Sequence, residues 1–219
     1  MTNARWALAA FAVAFPATAT AHVLDQYLQV AQVALAPNEV RVELRLVPGV
    51  QVADRVLALI DANGDGAVTS AEQQAYARKV RQYVTLAVDN RPLAMELKDA
   101  QFPSRQDMKD GVGVIRLQLA ANASFMTAGR HRVALRNDYL PDIGVYMANA
   151  LVPKSDTMTV VSQARDPLQR GLQIDVEVRP AADAPRARWP MALIVGLLMT
   201  IGLVGLRGRF IGSRKIAPH

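Results

Sequence analysis

A period of two runs through most of this chain. In EVRVELRLV, residues 39–47, Val40, Val42, Leu44 and Leu46 share one face and the charged residues take the other. That is the pattern of a strand with one side on a core. The stretch LDQYLQVAQVAL before it alternates in the same way, and the APN between them supplies a turn, so the pair predicts a β-hairpin. Strand signals continue in TLAVDNRPLAMEL around a turn at DNRP, then in VGVIRLQLAA, HRVALRN, GVYMANALV, TMTVVSQA and LQIDVEV. Eight or so such segments, with turn residues between them and no internal repeat, predict an antiparallel β-sandwich.

The period changes in one place. Val52, Val56, Leu59 and Ile60 are spaced for one helical face within residues 50–60, and Tyr76, Val80, Tyr83 and Val84 repeat the spacing within 70–84. Two predicted helices therefore bracket DANGDGAVTSAE, residues 61–72. In this window Asp61, Asn63 and Asp65 alternate, Gly66 permits a backbone turn that a Cβ would hinder, and Ala67 offers a carbonyl. Thr69 offers a hydroxyl and Glu72 a carboxylate that can close a shell with both oxygens. A run of Asp, Asn and Gly often does no more than turn the chain, but here every ligand-bearing position is filled. The window resembles an EF-hand loop, including the apolar Val68 at its eighth place, with Gln73 as a departure where that family places an apolar residue. The resemblance implies Ca²⁺ as the cofactor, held by Asp61, Asn63, Asp65, Ala67, Thr69 and Glu72. Mg²⁺ suits a bidentate, flexible cage less well.

The two ends of the chain read differently. Residues 1–21 carry Arg5, an apolar run over 6–15, and Ala19 and Ala21 where a signal peptidase reads, which predicts a cleaved leader. Residues 189–206 hold eighteen residues without a charge, followed by Arg207, Arg209, Arg214 and Lys215. They predict one membrane-spanning helix with a cytoplasmic tail at 207–219. Residues 180–188, PAADAPRAR, form the expected stalk, leaving 22–179 as a periplasmic domain on the bacterial inner membrane, with the helix-loop-helix at 50–84 inserted in it. The formal charge of +6 is reinterpreted by this division, because residues 22–188 hold twenty Lys and Arg against all nineteen Asp and Glu. The basicity sits at the termini, and a nucleic-acid partner is not expected.

The chain has no cysteine, which excludes disulfides, thiol nucleophiles, iron–sulfur ligation and thiolate zinc sites. There is no GxSxG, no HExxH and no histidine beside a nucleophile, so no enzyme is expected. His22, which cleavage would make the mature terminus, and His131 are candidate nitrogen ligands for copper or nickel, although strand periodicity makes His131 an ordinary sheet residue. Asp138, Tyr139, Asp142 and Tyr146 gather around a turn in RNDYLPDIGVY, readable as a partner-binding loop or as a plain strand connection.

The arrangement of AH at the cleavage point, LDQYLQV, LVPGV, the acidic loop, FPSRQDM, RNDYLPDIGVY and RDPLQR resembles bacterial periplasmic proteins, some of them similar to the extracytoplasmic part of HupE/UreJ-type nickel/cobalt permeases. That resemblance covers most of 22–178. With one predicted span in place of a bundle it implies at most an accessory role in nickel, cobalt or copper transport. The expectation is a mainly β domain with an α insertion, anchored by one helix, that binds calcium and serves as an interaction or structural module for a membrane or periplasmic protein partner.

Overall fold

The computed structural model describes residues 25–180 except Phe125, and the alternating segments within them become strands. The leader, His22, the span at 189–206 and the tail lie outside the described residues, as does all of the stalk but Pro180. Strands β1 (Tyr27–Ala36) and β2 (Glu39–Pro48) form the expected hairpin, paired from Tyr27 with Pro48 to Ala36 with Glu39. Helices α1 (Val50–Ile60) and α2 (Ser70–Gln82) follow, then β3 (Val84–Val88), β4 (Arg91–Leu93), β5 (Glu96–Gln101) and a short α3 (Arg105–Lys109). Strands β6 (Ile115–Asn122), β7 (Gly129–Asn137), β8 (Gly144–Ala150), β9 (Met158–Arg165) and β10 (Gly171–Val178) complete the described chain.

The strands form two five-stranded sheets, ordered β5-β6-β2-β1-β8 and β4-β3-β7-β10-β9. Val33, Val40, Val42 and Leu44 from the first and Leu86, Val133, Ile174 and Val176 from the second belong to one buried apolar cluster. Each such side chain contributes about 1.5–3 kcal/mol by leaving water, so a mainly β fold is what the alternation favours. Among the described residues no helix is long and apolar enough to cross a membrane.

Three details depart from expectation. The pairing is not wholly antiparallel, because β8 lies parallel to β1, from Tyr27 with Gly144 to Val33 with Ala150. After β7 ends in the second sheet, residues 138–143 cross to the first, where the Tyr27 N–H donates to the Ile143 carbonyl at 2.8 Å. Strand direction leaves no mark on a period of two. The second helix stops at Gln82 rather than 84: Tyr83 is its half-exposed cap, and Val84 is buried as the first residue of β3. The predicted strand after the DNRP turn divides into β4 and β5 and runs on to Gln101, and helix α3 has no counterpart among the predicted elements. Strand β5 is a largely exposed edge strand with a bulge between Leu97 and Asp99, so ELKDAQ shows no alternation. Helix α3 carries a local signal in Ser104, whose hydroxyl accepts from the Asp107 N–H at 3.0 Å.

Candidate metal centre

The loop hangs between two helices seated against the sheets in different ways. Helix α1 buries Val52, Ala53, Val56, Leu57 and Ile60 at helical spacing, and its last amide bond runs from the Asp61 N–H to the Leu57 carbonyl at 2.8 Å. Asp61 is therefore both the helix cap and the head of the loop. Helix α2 begins with a reciprocal cap: Thr69 Oγ1 accepts from the Glu72 N–H at 3.3 Å, while Glu72 Oε2 accepts from the Thr69 N–H at 2.9 Å and hydroxyl at 2.8 Å. Tyr76 anchors this helix, with its hydroxyl 2.7 Å from that of Tyr27 on β1 and its ring edge-on to Phe102 and Tyr139. Burial pushes both the Tyr27 and Tyr76 hydroxyls well above the usual phenol range, so both stay protonated.

Within the loop, oxygens fold back on amides. Asp61 Oδ2 accepts from the Gly66 N–H at 3.0 Å, Asn63 Oδ1 from the Asp65 N–H at 3.0 Å, and Asp65 Oδ1 from the Ala67 N–H at 2.8 Å. Asn63 Nδ2 donates to Asp65 Oδ2 at 2.9 Å. Gly64 and Gly66 take φ of +70° and +84°, left-handed conformations that side chains with a Cβ resist. Glu72 Oε1 accepts from the Ala62 N–H at 3.1 Å, so one carboxylate ties the start of the loop to its end ten residues on. Bonds from the Thr69 amide and hydroxyl, with those from the Asn63 and Ala62 amides, hold its pKa below the ordinary glutamate value. A cap alone would account for Thr69 and Glu72, but it would not account for the bond to Ala62.

Asp61 departs from this economy. Its side chain is only 4% exposed, and while Oδ2 takes the Gly66 amide and Arg105 Nη1 at 3.0 Å, Oδ1 is buried without a hydrogen-bond partner. Leaving such an atom unsatisfied costs about 1–3 kcal/mol, more for a charged group. Among the described residues the other buried side-chain atoms without hydrogen-bond partners, the Tyr139 hydroxyl and Arg170 Nε, belong to a neutral phenol and to a guanidinium already paired with Asp138. Among the described residues no group of three or more His, Asp or Glu side chains is gathered into a metal cluster. Asp61, Asp65 and Glu72 are instead distributed along one loop, with Asn63, Thr69 and the Ala67 carbonyl as its further hard oxygens. This donor set fits a hard divalent cation and offers no soft ligand.

The remaining candidates within the described residues all make contacts of their own. His131 Nδ1 lies 2.7 Å from Asp89 Oδ2, and Nε2 lies 2.8 Å from the Thr127 carbonyl, so both ring nitrogens already have acceptors. The Asp89 bond, reinforced by Thr127 against partial burial, raises the imidazole pKa. The RNDYLPDIGVY segment is the crossover between the sheets. Asn137 and Tyr139 are buried, Asp138 pairs with Arg136 at 2.7 Å, Asp142 with Arg55 of α1 at 2.6 Å, and the Tyr146 hydroxyl donates to the Tyr139 carbonyl at 2.7 Å.

Comparison with protein-family models, with curated proteins and with solved structures finds no match for this chain.

Proposed function

We propose that residues 61–72 bind calcium and that the domain is a membrane-anchored periplasmic interaction module whose ion is structural. The observation that carries this reading is the buried Asp61 carboxylate, with one oxygen held by the loop's own Gly66 amide and the other left without a partner. A cation at that oxygen would offset its desolvation, with Asn63, Asp65, Thr69, Glu72 and the Ala67 carbonyl completing an oxygen shell. The ion would supply two positive charges among three carboxylates and thereby stiffen the connection between α1 and α2.

Loops of this kind outside the cytoplasm work at Kd of about 10⁻⁴–10⁻³ M, so millimolar calcium fills them and stabilises by about 1–2 kcal/mol through linkage. The role in nickel, cobalt or copper transport gains no support from His131, whose nitrogens are both engaged. Calorimetric titration of the full chain in detergent with Ca²⁺ and Mg²⁺, in the parent and in Glu72→Ala, tests the proposal. Saturable calcium binding that the substitution removes is expected. Equal heats in the two proteins would end it.

A further inference from the structure

Resting on the calcium reading, the geometry points to Arg105 as a built-in counter-charge that holds the loop ready without metal and weakens its grip on the ion. Arg105 is the first residue of α3, and that helix is firmly seated. Ser104 caps it, Met108 is fully buried, and Lys109 pairs with Asp54 of α1 at 3.2 Å. The turn after it packs so closely that a Cβ on Gly113 would come within 2.7 Å of the Met108 nitrogen. From this platform Arg105 Nη1 reaches Asp61 Oδ2 at 3.0 Å, forty-four residues away in sequence. The side chain is 39% exposed against 4% for Asp61, so a partly solvated cation compensates a buried anion.

Asp61 then has two claimants. Without metal, the guanidinium is the cationic partner of a largely buried carboxylate, and removing it leaves a buried charge balanced only by the Gly66 amide. With metal, the same guanidinium is a fixed positive charge one carboxylate away from a divalent ion. Like charges at such separations, partly screened by solvent, change affinity by on the order of tenfold. Orientation works the other way, since Arg105 also helps to hold Oδ2. The Gly66 amide and burial already do that, so the charge effect dominates. Arg105 thus trades affinity for a loop that stays formed between occupied and empty states.

Calcium titration of the full chain in detergent, in the parent and in Arg105→Gln, Arg105→Met, Arg105→Lys and Glu72→Ala, with melting followed with and without calcium, tests the assignment. The two neutral variants are expected to bind calcium about tenfold more tightly, to melt below the parent without calcium, and to gain more from its addition. Arg105→Lys, which keeps the charge, should stay within about twofold of the parent Kd. A parent that binds calcium through Glu72 alongside neutral variants with equal or weaker affinity would overturn the role of Arg105 while sparing the site. A parent whose calcium response does not depend on Glu72 would remove both.

Discussion

Two sets of buried polar side chains in this domain, Gln29 with Asn137 and Asp61 alone, are finished differently. Under the crossover, Gln29 is 1% exposed and Asn137 4%. The Gln29 amide donates to the Tyr139 carbonyl at 2.7 Å and its oxygen accepts from Asn137 Nδ2 at 2.9 Å, while Asn137 Oδ1 accepts from the Tyr139 N–H at 3.0 Å. Every side-chain nitrogen and oxygen of that pair has a protein partner. At the head of the loop, Asp61 is 6% exposed as a residue and keeps one oxygen unpaired. Burial is common to both, and completeness separates them. A saturated network specifies the fold, whereas a buried anion left half-paired creates a demand that a cation can meet.

The largest effect should come from the finished cluster. Asn137→Ala strands both Gln29 Oε1 and the Tyr139 amide, and a loss of about 2–6 kcal/mol is expected at about 1–3 per stranded group. Urea denaturation with and without calcium should show the same loss in both conditions, and a loss that calcium rescues would merge the two clusters. The middle effect belongs to Asp61→Asn, which keeps an acceptor for Gly66 but removes the charge. It should abolish the calcium-induced gain of about 1–2 kcal/mol and alter calcium-free stability less than Asn137→Ala does. A calcium-dependent melting shift that survives would contradict this account.

The smallest effect concerns a third polar contact, His131 with Asp89. Burial opposes the Asp89 carboxylate, yet the Arg132 amide and His131 together hold its pKa below the ordinary value. Because the His131 pKa is raised on folding, the stability it adds is fully present below its unfolded value of about 6.5 and is lost as pH rises through the folded value. The Asp89 contribution fades only in acid, as pH falls through its depressed value. Asp89 is half-exposed, so the pair is worth at most about 1 kcal/mol. Melting of the parent against His131→Gln from pH 6 to pH 9 should show an advantage that shrinks upward, and one that grows would reverse the assignment.

Much of the fold was legible because burial writes itself into spacing. The β1–β2 hairpin, the two helices and most later strands follow from periods of two and 3.6, since a side chain's facing is a local property of backbone geometry. The Asp89–Asn90 turn is local as well: both residues have positive φ, which Asp and Asn tolerate better than most. Strand β5 beyond Leu97 escaped because an exposed edge needs no apolar face. Within the loop, the positions of Asp61, Gly66, Thr69 and Glu72 were readable from order alone, whereas the mutual cap that Thr69 and Glu72 make at α2 emerged only in the structure. The Asp61–Arg105 bond was not, because nothing local relates residues separated by a helix, three strands and a turn.

The sequence by itself determined which faces are apolar, where the two helices interrupt the strands, and which twelve residues carry the loop's oxygens, because these depend on neighbours within a few positions. Tertiary structure alone decided that β8 runs parallel to β1, that Gln29 is satisfied by Asn137, and that Asp61 meets Arg105 with one oxygen to spare. Those outcomes depend on which distant groups share a small volume shielded from water. There a missing partner costs far more than it would at the surface.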